Sequence, residues 1–64
     1  MTERSEHYER IADQLETIVA DLDEIAFDEL RLAAAEGATE RPPSDKRLTA
    51  ARRSLEKAIH LLRQ

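Results

Sequence analysis

The chain has 64 residues, with 14 acids, 10 bases, one Tyr, one Phe and no Cys or Trp, for a formal net charge of −4. A chain this short buries only about 60 % of the surface it exposes when unfolded, and it has no disulfide or thiolate-bound metal in compensation, so regular helix packing and self-association are its remaining routes to stability. No run approaches the ~18 apolar residues of a transmembrane span, and the charged start MTERSEHYER has no apolar core behind it, so no membrane partner, no secretory leader and a cytoplasmic location are expected.

From Tyr8 onward the large apolar residues fall at Tyr8, Ile11, Leu15, Ile18, Leu22, Ile25 and Leu32, spaced alternately three and four apart and skipping only Glu29. That spacing is a heptad seam. With Tyr8 at position a, Leu15 and Leu22 are also a, and Ile11, Ile18, Ile25 and Leu32 are d. Ala12, Val19, Ala26 and Ala33 then fall at e. A face three positions wide suits a bundle better than a two-stranded rope. Thr2 or Ser5 can cap the start, acids crowd the first turns where the helix dipole favours them, and Gly37 is placed to end the helix. The first helix is therefore expected over about 5–36.

The stretch 37–43, GATERPP, cannot continue a helix, because Gly37 favours a left-handed cap and Pro42 and Pro43 remove consecutive backbone donors. A second helix is expected over about 44–63, starting at Ser44 or Asp45, with Leu48, Ala51, Leu55, Ala58 and Leu62 repeating the seam. The whole of 1–64 then reads as one all-α domain, an antiparallel helical hairpin. Folding the chain back about Glu40 places Leu48 against Leu32, Ala51 against Glu29, Leu55 against Ile25, Ala58 against Leu22 and Leu62 against Ile18. Large residues meet small ones at two of these layers. Glu29, the one polar break in the first seam, has Arg52 beside it in this register, and a Glu29–Arg52 salt bridge is expected.

In the same register the shorter second helix ends near Ile18 and leaves Tyr8, Ile11, Ala12 and Leu15 uncovered. Near the turn Phe27, Leu30 and Ala34 form a further apolar stripe on the opposite side of the first helix. Both features are covered if two hairpins close into a four-helix bundle about a twofold axis, with Tyr8, Ile11, Leu15, Phe27 and Leu30 as the interface.

The acids invite a metal or acid–base reading, since Asp13 with Glu16 and Asp21 with Glu24 share helix faces. Their heptad positions, f with b and g with c, point to water rather than into the bundle, and the Glu-x-x-His pairs of a carboxylate-bridged metal site are missing. His7 and His60 look exposed and separated, with no nucleophile beside them. A single glycine makes no phosphate loop. No catalytic residue, metal or cofactor is expected, and the chain reads as non-enzymatic.

Charge is distributed unevenly along the chain. Residues 1–36 hold 11 acids and 3 bases, whereas 44–64 hold 2 acids and 6 bases. Lys46, Arg47, Arg53, Lys57 and Arg63 could contact phosphates, but the second helix has no aromatic residue for base stacking and the acids of the first can neutralise it. Charge pairing within the hairpin or between subunits is favoured, ahead of an acidic protein partner and of nucleic acid. The segment YERIADQLETIVADLD at 8–23 resembles the first helix of the small subunit of exonuclease VII, an acidic helical hairpin without catalytic residues. After Asp23 the sequence departs from that pattern. The resemblance implies an accessory subunit docking on a larger protein, the alternative to a module whose partner is itself.

Overall fold

The computed structural model describes residues 3–64 as two helices, α1 over Glu3–Ala35 and α2 over Ser44–Leu62, packed against each other. The expected Thr2 cap lies outside the described residues, and Ser5 sits within the first turns of α1. The hairpin is long and thin, 53 × 15 × 10 Å with a radius of gyration of 15.5 Å, against about 11 Å for a compact domain of this length.

Gly37 ends α1 by adopting φ +87°. The Ala38 amide donates to the Ala33 carbonyl at 2.9 Å and the Gly37 amide to the Ala34 carbonyl at 3.0 Å, which satisfies two of the carbonyls a helix end leaves open. Pro43 is the N-cap of α2, where its missing donor costs nothing. Asp45 in the first turn accepts a hydrogen bond from the Arg41 guanidinium at 3.1 Å.

The register differs from the expected one. The Ser44 hydroxyl donates to the Glu29 carboxylate, Arg52 binds Asp23, and Arg63 reaches Glu9. The chain therefore folds back about Gly37 instead of about Glu40. Two causes act together: the left-handed glycine reverses the chain at once, and the loop through Pro43 runs back beside Glu29, Leu32 and Ala33, so α2 starts below the end of α1. α2 then extends down to the level of Ser5 and Tyr8, which line a groove with Leu62 and Arg63. The expected overhang shrinks accordingly, with Ala12 fully buried and Leu15 half-buried.

The contact line on α1 runs along rows a and e, through Ala12, Leu15, Val19, Leu22, Ala26 and Ala33. Small side chains at e let α2 approach closely, and Ala12 and Val19 are the only buried apolar residues among those described. Among the described residues no large side chain is fully buried.

The space beside Gly37 is open, with no atom within 4 Å of where a Cβ would stand, so backbone conformation alone decides its substitution. Gly37→Ala is expected to lower stability by about 1 kcal/mol, read as a shift in the urea midpoint. An unchanged midpoint would show that the left-handed cap contributes nothing.

Candidate functional site

Helix periodicity of about 100° per residue divides the surface of α1 into rows on either side of the line that α2 occupies. On one flank lies row b, with Glu9, Glu16 and Asp23 seven residues apart. Arg52 on α2 and Arg63 at its C-cap are eleven residues apart, about three turns, and so share a face turned to that row. The Arg52 guanidinium donates to the two Asp23 carboxylate oxygens at 2.7 and 3.2 Å, and to Glu56 at 2.8 Å. Arg63 gathers three carboxylates, Glu9 at 2.8 Å and Asp13 and Glu16 each at 2.6 Å.

The opposite flank carries row d. Ile11, Ile18, Ile25 and Leu32 are 45, 45, 48 and 63 % exposed, a straight apolar edge open to water along most of α1. Half-buried Ala51 and Ala58 border it from α2. The three-position face expected from sequence is thus real but shared out: rows a and e hold the hairpin together, and row d is left over.

The residues proposed from sequence separate in the same way. Ile11 belongs to the open edge. Leu15 is taken into the hairpin contact, and Tyr8 is half-exposed at its lower end. Phe27 and Leu30 are exposed on the ionic flank near the turn, away from Ile11, and the Arg31 guanidinium lies over the Phe27 ring at 5.8 Å from its centroid. Glu29 and Arg52 are not brought together: in the observed register Glu29 meets Ser44, and Arg52 lies nearer the start of α1, at Asp23. Asp13 and Glu16, expected to face only water, hold Arg63. The heptad spacing of Glu9, Glu16 and Asp23, set against two arginines three turns apart, was the sequence signal for this flank.

Several charges lack a partner among the described residues. Lys46, Arg47, Arg53 and Lys57 on α2 take no part in an ion pair, nor do Asp21, Glu24 and Asp28 on α1. No group of three or more His, Asp or Glu side chains among the described residues is placed to hold a metal. An open groove of about 520 Å³ lies under the loop, lined by Leu32, Pro42 and Pro43 and by Glu29, whose carboxylate is engaged by Ser44. No helix of the described residues is long and apolar enough to cross a membrane. Comparison with protein-family models, with curated proteins and with solved structures gives no match.

The arginines act on the acids they bind. Hydrogen bonds from Arg63 hold the Glu16 carboxyl below its ordinary value of 4.5, and those from Arg52 hold Asp23 below 3.8. Reciprocally, both guanidiniums are pushed upward, Arg63 chiefly by Glu16 and Arg52 chiefly by Asp23. A carboxyl with a lowered folded value contributes stability that is complete above its ordinary value and fades as pH falls through the folded one. The wild-type melting temperature should therefore contain a component lost as acidification carries the pH below the ordinary carboxyl values of 4.5 and 3.8. The Arg52→Gln, Arg63→Gln double variant should start lower and fall less on the same acidification. Parallel acid limbs for the two proteins would show that these exposed pairs set orientation without affecting stability.

Proposed function

We propose that the chain is a non-enzymatic interaction module whose open d-row edge is covered by a second copy, two hairpins closing into a four-helix bundle. One observation carries this reading: four large aliphatic residues stand exposed at heptad spacing along the edge of a hairpin whose described residues include no fully buried large side chain. A compact monomer of this mass exposes about 4,200 Å². The hairpin exposes 5411 Å². The excess, about 1,200 Å² per chain, falls in the range each partner gives up in a permanent homodimer. The interface runs through Ile11, Ile18, Ile25 and Leu32, with Tyr8 at its lower end.

Leu15 is a poor place to test this, since it serves the hairpin too. Ile18 is half-exposed in the single hairpin and tolerates a polar group there. Ile18→Glu should raise the dissociation constant at least about 100-fold, because the bundle would bury an unpaired charge in each copy. Leu30→Glu, on the ionic flank, should leave it nearly unchanged. Native mass spectrometry and sedimentation equilibrium read both. An Ile18→Glu protein that keeps the wild-type mass would overturn the assignment. A wild-type chain that is monomeric alone and stoichiometric with a larger protein from its own host would give the edge to an accessory-subunit contact instead.

A further inference from the structure

We infer that, in the dimer proposed above, each α1 lies against the partner's α2, with the twofold axis parallel to the helices. This rests on the reading of the d-row edge as a self-association surface and specifies which helix of the second copy covers it. Two closed arrangements bring the open faces of two hairpins together. With the axis along the bundle, α1 packs on the partner's α2. With the axis across it, α1 packs on the partner's α1 and α2 on the partner's α2.

Side-chain volume separates the two. The open face is large on one helix and small on the other: α1 presents isoleucines, and α2 presents Ala51 and Ala58. An axis along the bundle moves no residue up or down, so the hairpin's own register carries over to the contact between copies. Ile25 then meets the level of the partner's Ala51, and Ile18 that of the partner's Ala58. Large side chains fall on small ones at both layers, as close packing requires. The crossed axis sets isoleucine against isoleucine along one seam and alanine against alanine along the other, crowding the first and leaving voids in the second.

Charge points the same way. On the outer border of the open face, α1 carries Asp21 and Asp28, neither paired within the hairpin, and α2 carries Arg47, also unpaired. Helix periodicity places Asp28 and Arg47 at one level. With the axis along the bundle, Asp28 of each copy faces the partner's Arg47, twice per dimer by symmetry. The crossed axis instead lines the acidic border of α1 against itself, which repels. Leu61, 56 % exposed on the same border of α2, comes to the partner's Gln14, next to Ile11 at the lower end of the seam.

The absence of cysteine makes thiol cross-linking unambiguous. Chains carrying Asp28→Cys, mixed with chains of different mass carrying Arg47→Cys and treated with a short bis-maleimide, should give a covalent heterodimer. Asp21→Cys alone should not link to itself. Charge reversal supplies an independent reading: Asp28→Arg or Arg47→Asp should each weaken the dimer about tenfold, and the two in one chain should restore it to within about threefold of wild type. Efficient self-linking at Asp21→Cys, or a dimer showing neither the mixed link nor the charge rescue, would overturn the arrangement while leaving self-association intact. A chain monomeric throughout would overturn the self-association reading itself, so the two failures are distinguishable.

Discussion

Two helices touch along a line, and a line of contact encloses no interior. Every side chain at such a contact is reached by water from one flank or the other unless it is very small or lies at the centre of the line. In this hairpin Ala12 and Val19 meet that condition, while Leu15, Leu22, Leu48, Leu55 and Leu62 reach half-burial. What the hairpin can bury is set by this geometry, however apolar its faces. The seam of α1 is three rows wide, and one antiparallel helix covers two of them. The third row is surplus to a hairpin and becomes useful when a further helix arrives.

Which row is left over follows from the chemistry of the flanks. Beside row e stand the carboxylates of row b, and Arg52 and Arg63 draw α2 toward them. Rolling α2 toward row d would bury more isoleucine but would pull Arg63 away from Glu9, Asp13 and Glu16 together. Each of these exposed contacts is weak in isolation. Among the described residues, five inter-helix ion-pair contacts on one side and none on the other nevertheless give the contact a handedness that apolar packing alone lacks. The row of small residues at e acts in the same direction, since alanines let the helices close on that side.

Much of this architecture was legible in the sequence, and the parts that were not have identifiable causes. The 3-4 spacing from Tyr8 to Leu32 marks α1, and Gly37 and the proline pair mark the turn, because each is a local constraint on the backbone. The three-row face was legible as well. Its division was not, since rows a with d and rows a with e are both seams of heptad period, and choosing between them requires the opposing helix in place. The register was missed for a related reason. Assuming a symmetrical loop puts the fold at Glu40, but the loop doubles back beside Leu32 and Ala33, and that descent shifts every pairing along α1. The Glu29–Arg52 pair failed with the register, and Asp23 took the position expected of Glu29.

The same sidedness bears on how far assembly can go. A heterologous contact that leaves its complement free propagates into a fibre, whereas a face that meets its own copy about a twofold axis closes. The flank opposite the apolar edge is occupied by Arg52, Arg63 and their carboxylates, and pressing it into a further interface would strip water from a fan of charges with little apolar area gained in return. Phe27 and Leu30 interrupt that flank only near the turn, and Arg31 already lies over the Phe27 ring. Once two apolar edges meet, the surfaces left outside are charged on both copies. In the proposed dimer, the arrangement that leaves one apolar edge open would also limit the association to two.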